Sequence, residues 1–165
     1  MRLCGFTDAD WAGSPTDRKS TSGGIFSIGS TTVSWYISKQ RSMELISAEA
    51  EYMASSLAAC EAIWMRKILV ELFGSHLDPT VIYCDNQSCI KLSVNPVFHD
   101  RSKHINIRYH HLRYCVQRKI MLLSYIPMED QDADILTKAL TKSKFEYHRG
   151  RIGVADNLYI VEREC

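Results

Sequence analysis

The feature that most constrains this chain is a long segment, from Ser47 to Phe73, that contains neither glycine nor proline. Good helix formers dominate it, and Ser47 has the side chain of a helix N-cap. Apolar residues recur at steps of three and four, the spacing of one helix face: Met53, Leu57, Cys60, Trp64, Ile68 and Leu72. The segment therefore predicts one long helix. Around Glu51, the residues Ser55, Ala58 and Ala62 form a second face, whose small side chains suit close approach to a sheet.

Short runs rich in β-branched and aromatic residues predict strands on both sides of this helix. Three precede it and two follow it: 3–7, 24–28, 32–37, 80–84 and 121–126. In the third run, Val33, Trp35 and Ile37 alternate as one face of a strand. Further helices are predicted from the "DNQS" cluster through Leu92, over 108–119 and over 129–140. This order predicts an α/β fold in which a mixed five-stranded sheet, with three antiparallel strands first, is flanked by helices.

Composition narrows the class of protein. A chain of 165 residues that is 45% hydrophobic suffices for one ordinary core. With 20 basic and 19 acidic residues the net charge is +1, so a polyanion could be attracted only by local patches. No apolar run approaches the roughly 18 residues of a membrane span. The six cysteines form no CxxC pair, and the N-terminus has no secretory pattern, which together predict an intracellular chain.

Acidic residues fall where the predicted elements begin or end. Asp8 ends the first strand, Glu51 lies in the first turns of the long helix, Asp85 ends the fourth strand and Asp134 lies early in the last helix. A sheet of this kind opens toward ligands at such positions, so these carboxylates could share one cleft. Buried together they would repel each other, and a divalent metal is the natural way to keep them ionised. Ligation by oxygen alone favours Mg²⁺ or Mn²⁺ over zinc.

Each of these acids has a competitor. Asp10 shares a strand face with Asp8. Glu49 lies about 200° around the helix from Glu51, so only one of the two can point into the site. Asp132 stands close to Asp134, and Asp85 could serve simply as a helix N-cap.

Eight segments in order give the chain a resemblance that covers nearly its whole length. They are "FTDADWAG", "DRKSTSGG", "SAEAEYMA", "EAIWMRKIL", "IYCDNQS", "NPVFHDRSKHINIRYHHLR", "YIPMEDQDADILTK" and "KFEYHRGRIGV". The chain resembles the ribonuclease H (RNase H) domain of the Pol polyprotein of copia-type LTR retrotransposons, those of plants above all. The resemblance implies an RNase H-like fold over 1–140. Residues 141–165 would be a C-terminal extension of the polyprotein, whose structure the sequence does not predict.

This resemblance also implies an activity. It is the divalent-metal-dependent hydrolysis of the RNA strand of RNA–DNA hybrids during reverse transcription, with two Mg²⁺ or Mn²⁺ ions as cofactors. By resemblance Asp8 would bridge both ions, with Asp134 on the side of the attacking water and Glu51 and Asp85 on the leaving-group side. A reverse transcriptase domain would be the partner in the intact polyprotein. The expected location is cytoplasmic or nuclear, or a virus-like particle.

Contacts to nucleic acid are predicted at two places. Asn86, Gln87 and Ser88, directly after Asp85, are the first choice for reading the 2′-hydroxyls that distinguish RNA from DNA, and Ser20, Thr21 and Ser22 are the second. Between residues 101 and 119 basic residues stand among aromatic ones without an acid, which suits a phosphate backbone. Lys103, Arg108 and Arg113 are the candidates, although a solvated helix face has the same composition.

Two other functions compete with an active nuclease. One is a catalytically inactive, retrotransposon-derived remnant that at most binds nucleic acid. A methionine opens this chain where the family has a preceding reverse transcriptase, and Ala48, Asp132 and Ala139 stand where the family usually has Thr, an apolar residue and Pro. The other is a strand-transfer nuclease of integrase type, which requires a late Glu where this chain has Asp134 and gives no role to Glu51.

Overall fold

A computed structural model describes residues 2–14, 16–41, 46–74, 77–95 and 106–154, with the backbone alone described for 106–110. The five strands β1 to β5 span Leu3–Asp10, Thr21–Ile28, Thr31–Lys39, Thr80–Cys84 and Met121–Tyr125. They form one sheet in the order β3-β2-β1-β4-β5. β1, β2 and β3 pair in antiparallel fashion, whereas β4 pairs in parallel with β1 and β5. The predicted mixed sheet with three antiparallel strands first is confirmed.

Five helices accompany the sheet in the described residues. They are α1 (Ser47–Phe73), α2 (Gln87–Val94), α3 (Asn106–Gln117), α4 (Asp134–Thr137) and α5 (Lys142–Arg151). None of the helices in these ranges is both long and apolar enough to cross a membrane. The long helix is confirmed, but its N-cap is not Ser47: the cap position is occupied by Ile46, without a side-chain hydrogen bond. At the other end Gly74 adopts a left-handed conformation (φ 60°) and donates its N–H to the carbonyl of Val70, a glycine C-cap.

The face that α1 buries matches only part of the apolar face that its periodicity marks, since Met53 is buried but other residues of that face are not. Trp64 and Leu72 are 58% and 69% exposed, whereas the small residues Ser55, Ala58 and Ala62 are fully buried. The helix contacts β1, β2 and β4. Small side chains let the helix axis lie close to the sheet. The stabilisation from this close packing exceeds what burial of the larger apolar side chains on the outer face would give. The small-residue face is thus the one that packs.

The predicted helix over 129–140 is interrupted. A 3-10 turn covers Met128–Asp130, and α4 begins only at Asp134. Between them the buried side chain of Gln131 donates a hydrogen bond from Nε2 to the carbonyl of Thr7 (3.0 Å) and accepts one at Oε1 from the amide of Ala133 (3.3 Å). These bonds to β1 and to the turn fix a non-helical backbone, so tertiary contacts override the local helix propensity.

Helix α5 lies in the segment expected to be a C-terminal extension, and it is fastened to the connection between β5 and α4. The buried His148 ring shares a hydrogen bond with Asp132 (Nδ1 to Oδ1, 2.9 Å), and Arg151 Nε forms an ion pair with the same oxygen at 3.0 Å. Arg151 also pairs with Asp130 at 2.9 Å. Asp132 therefore pairs with His148 and Arg151 of α5, and these contacts give a physical reason for an acid at this position.

We expect Asp132→Ala to lower the free energy of unfolding by about 1–3 kcal/mol, because it leaves His148 buried without its partner. Urea denaturation followed by circular dichroism would measure the loss. Glu146→Ala is the matched control on the same helix, since the contact shown for Glu146 among the described residues is an exposed 3.8 Å pair with Lys142, and its loss should change stability little. Equal losses in the two variants would show that the buried contact does not stabilise α5.

Candidate functional site

The four predicted acids meet at one end of the sheet. Parallel pairing of β1 with β4 brings Asp8 beside Asp85, which directly follows β4. α4 starts at Asp134 and contacts β1. A carboxylate oxygen from each of Asp8, Asp85 and Asp134 lies within 4.8 Å of the other two. Glu51 joins through Asp85, since the ligand atoms of Glu51, Cys84 and Asp85 also lie within 4.8 Å of one another.

One detail of the placement differs from the prediction. Asp8 does not end β1, because the strand continues to Asp10 through its pairing with β2 as far as Thr21. Asp8 therefore stands within the sheet, paired opposite Gly23, and is 0% exposed. This interior position makes Asp8 the most enclosed member of the acid cluster, and the cluster forms around it.

Backbone geometry orients Glu51 toward the strand. The amide N–H of Ala9 donates to Glu51 Oε1 at 3.2 Å, and the Cys84 thiol lies 4.0 Å from Glu51 Oε2. The side chain is buried on the same α1 face that packs on the sheet. Cys84 is a neighbour of the acids that sequence reasoning overlooked. Its position at the last residue of β4, directly before Asp85, was the available signal.

The pKa values of three of the acids are raised, first by burial and then by the nearby negative charge of Asp8. Burial, and then the nearby Asp8 carboxylate, raise the pKa of Glu51 well above its ordinary value. Burial and Asp8 also raise the pKa of Asp134 from 3.8 to about 6, although Lys138 opposes this shift. The pKa of Asp85 is raised by burial and Asp8 as well. Carboxylates held this way have high affinity for a cation that keeps them ionised.

Two residues of α4 and its C-cap contact the acids and were missed by the sequence reasoning. Lys138 Nζ lies 2.9 Å from Asp8 Oδ1 and 2.9 Å from Asp134 Oδ1. The Thr137 hydroxyl donates to Asp8 Oδ2. Their signal was the spacing within "DILTK", because residues three and four positions after an acid return to the same helix face.

The competing acids have other surroundings. Asp10 lies near the site but packs beneath the following turn, where a Cβ added to Gly13 would come within 1.8 Å of its Oδ2. Glu49 is half-exposed at the start of α1, and Asp132 bonds to His148 and Arg151. None of the three belongs to the groups of converging ligand atoms found among the described residues. The geometry therefore brings together Asp8, Glu51, Asp85 and Asp134.

The residues after Asp85, and the second-choice residues 20–22, differ in the burial and hydrogen bonding of their side chains. Asn86, and not Asp85, is the N-cap of α2, accepting from the amide of Cys89 at 3.0 Å. Gln87 and Ser88 are exposed in the first turn of α2, next to the acids. Among the second-choice hydroxyls, Ser20 and Ser22 are buried and accept hydrogen bonds from the Ala12 amide and the Gln40 side chain, and Thr21 is half-buried. Gln87 and Ser88 are thus the better placed to meet a ligand.

Of the three candidate basic residues between residues 101 and 119, one is not available at the surface. Arg113 is only 9% exposed, and its guanidinium donates to the carbonyl of Asn95 at 3.4 Å, so the structure corrects the expectation of a surface contact there. Lys103 lies outside the described residues, and Arg108 is described by its backbone alone, in the first turn of α3. The prediction of phosphate contacts now rests on Arg108 and Lys103.

The donor set fits a hard divalent ion. Its candidate ligands are carboxylate oxygens that converge from β1, α1, α4 and the connection between β4 and α2, the chemistry that Mg²⁺ and Mn²⁺ prefer. A cation already stands among them, since the ammonium of Lys138 bridges Asp8 and Asp134. The geometry and the electrostatics both favour positive charge at this position.

Comparisons with solved structures reveal the same architecture. LC11-RNase H1, isolated from compost by a metagenomic approach, is similar with a TM-score of 0.61 at 16% identity, over 82% of this chain and 92% of that one. The same protein in complex with an RNA/DNA hybrid gives a TM-score of 0.56 at 15% identity, over 82% and 94% of the two chains. Identities this low show the fold alone. The fold of this chain is that of RNase H.

The relatives found by sequence comparison have a higher sequence identity to this chain than these solved structures do. The retrovirus-related Pol polyprotein from transposon TNT 1-94 of Nicotiana tabacum is 39% identical over 155 residues, 94% of this chain. That from transposon RE1 of Arabidopsis thaliana is 40% identical over 154 residues, 93% of this chain. No protein-family model matches the chain. The chain is a homologue of plant retrovirus-related Pol polyproteins, as its motifs predicted, and it spans only 12% and 10% of the length of these two.

We expect the acid cluster to make the metal-free protein less stable as pH rises. Asp134 has a folded-state pKa of about 6 against an ordinary 3.8, so its contribution to stability is full below about 4 and is lost as pH rises through 6. Thermal melts in EDTA between pH 4 and 7 would measure this trend. In Asp134→Asn the fall of Tm with rising pH should be shallower. An equal fall in the variant and the wild type would show that Asp134 is not its cause.

Proposed function

We propose that this chain is a divalent-metal-dependent endonuclease that hydrolyses the RNA strand of RNA–DNA hybrids. The observation that carries the proposal is the convergence of Asp8, Glu51, Asp85 and Asp134 at the open end of the sheet. Paired divalent ions held by such carboxylates are a recurrent device for cleaving phosphodiester bonds. The similarity to LC11-RNase H1, which was solved with an RNA/DNA hybrid, supports this choice of substrate.

In this proposal Asp8, Glu51, Asp85 and Asp134 hold Mg²⁺ or Mn²⁺. Metal bound there would supply activation of a water and charge neutralisation at the leaving oxygen. The protein's own contribution is to fix the acids in advance: the Ala9 amide orients Glu51, and pairing of β1 on both sides holds Asp8 rigidly. Such preorganisation avoids reorganising the site during the reaction.

Selectivity for RNA requires contacts to 2′-hydroxyls. Gln87 and Ser88 are assigned this role, because both are exposed beside Asp85 at the start of α2. An amide and a hydroxyl can each donate and accept hydrogen bonds, which suits a group that does both. Asn86 contributes chiefly by capping α2 and so positioning these two residues.

The surrounding polyprotein supplies the biological setting of the proposal. Since the homologues are Pol polyproteins of which this chain matches about a tenth, we place its activity beside a reverse transcriptase domain during retrotransposon replication. An intracellular location, with a virus-like particle for an intact element, belongs to the same proposal.

Asp85→Asn should reduce cleavage of the RNA strand in Mg²⁺ by about 10²- to 10³-fold, because a charged ligand is lost while side-chain volume is kept. A labelled RNA–DNA hybrid and a DNA duplex, each with Mg²⁺, Mn²⁺ or EDTA, form the assay. Asp78→Asn is the matched control, an exposed Asp that precedes β4 at the opposite end of the strand. Wild-type protein that binds hybrid without cutting it would favour the inactive remnant, and full activity of Asp85→Asn would refute the carboxylate assignment.

The orientation of α3 predicts which of its neighbouring basic residues can contact the phosphates of the hybrid. Three residues separate α3 from β5, and the two elements contact each other, so the helix runs back along the strand. Its first turn, with Arg108, is then at the acid end of the sheet, and Arg118 is at the far end. Arg108→Ala should lower the salt slope of hybrid binding by about one, whereas Arg118→Ala should leave it unchanged. Fluorescence anisotropy at several salt concentrations measures the slopes, and equal slopes for both variants would contradict this orientation of the substrate.

A further inference from the structure

Both oxygens of Asp8 are already engaged by the segment that carries Asp134. Oδ1 accepts from Lys138 Nζ at 2.9 Å, and Oδ2 accepts from the Thr137 hydroxyl. The same ammonium lies 2.9 Å from Asp134 Oδ1. These are atoms of the acid cluster itself, so the lysine and a divalent ion would require the same ligands.

The contact is built into the fold rather than made by a loose surface side chain. Thr137 packs on β2 at Gly23, the residue opposite Asp8, where an added Cβ would come within 2.7 Å of the Thr137 methyl group. This close approach places Lys138, the next residue, over Asp8. The Lys138 side chain is 30% exposed, whereas the side chains of its partners Asp8 and Asp134 are 0% and 7% exposed.

The charges make the arrangement mutually stabilising. Burial lowers the pKa of Lys138, but the Asp8 and Asp134 carboxylates outweigh burial and hold that pKa above its ordinary value. The ammonium therefore remains charged and relieves the repulsion among the acids. Removing it would leave those buried carboxylates without the cation that pairs with them in the described part of the chain.

We propose that Lys138 is an internal competitor for the metal: its ammonium occupies the cation position between Asp8 and Asp134, stabilises the metal-free fold and must leave these oxygens when a divalent ion binds. The inference rests on the proposed function, because it takes the acid cluster as a metal site. Two groups that compete for the same atoms have a positive, unfavourable coupling free energy, so removal of one strengthens binding of the other. Lys138 thus sets the metal concentration at which the site fills.

Opposite effects on two measurable quantities distinguish this role from that of an ordinary ion pair. In Lys138→Met the Tm in EDTA should fall by several degrees. The Kd for Mn²⁺, measured by isothermal titration calorimetry, should fall by about tenfold, so that the metal binds more tightly. A lysine that merely stabilises the fold would lower the Tm and leave the Kd unchanged or raise it.

Two further variants complete the design. Lys142→Met removes one positive charge from the surface, where the side chain is 88% exposed, and should leave both Tm and Kd near the wild-type values. Lys138→Gln removes the charge while keeping a hydrogen-bond donor, and carries the same prediction of tighter Mn²⁺ binding if the methionine variant does not fold. Tighter binding in the Lys138 variants alone supports the proposal.

The other possible results for Mn²⁺ binding also support or overturn the inference. Equal or weaker Mn²⁺ binding by Lys138→Met and Lys138→Gln would overturn the inference, and the proposed function would stand if the wild-type chain still cleaves hybrid. Absence of Mn²⁺ binding by the wild-type chain and by both Lys138 variants would overturn the inference together with the metal site. Binding by the variants but not by the wild type would support strong competition.

Discussion

The repulsion among carboxylates gathered at one end of the sheet is the constraint on which the site depends. Asp8 is fully buried and Asp134 is 5% exposed, so water screens their charges poorly. The fold must therefore hold the acids against this repulsion and supply positive charge among them. Parallel pairing of β1 with β4 provides the first, because it fixes Asp8 beside Asp85. Lys138, which bridges Asp8 and Asp134, provides the second in the metal-free protein.

Helix α1 shows how packing serves this electrostatic arrangement. Its buried face includes small side chains, among them Ser55, Ala58 and Ala62, which let the helix axis lie close to β1. Glu51, on this face, can then accept a hydrogen bond from the Ala9 amide. Larger residues there would push the helix outward and break that contact. The apolar side chains of Trp64 and Leu72 consequently lie on the exposed side, at a cost in apolar surface left in water.

The element order, the sheet and the positions of the acids could be predicted from the sequence, because strands, helices and their ends leave local patterns. The face by which α1 packs was ambiguous, since hydrophobic periodicity and small-residue spacing marked different faces. The break before α4 left no local pattern, because a tertiary bond from Gln131 to β1 imposes it. The buried state of Arg113 was equally hidden, since its partner is a backbone carbonyl at Asn95. The break before α4 and the burial of Arg113 thus each depend on a contact between residues that are not neighbours in sequence.

Those distant interactions are concentrated where the site forms. Gln131 binds the carbonyl of Thr7, and Thr137 and Lys138 bind Asp8, across separations of 124, 129 and 130 residues. α4 is too short to hold its own geometry, since a helix of four residues lacks the length that makes isolated helices stable. Its position therefore comes from contacts with the first strand, and through Asp132 from α5. Because Asp8 and Asp134 come from opposite ends of the domain, the acid cluster assembles only when these ends pack together, and the site is a property of the whole fold.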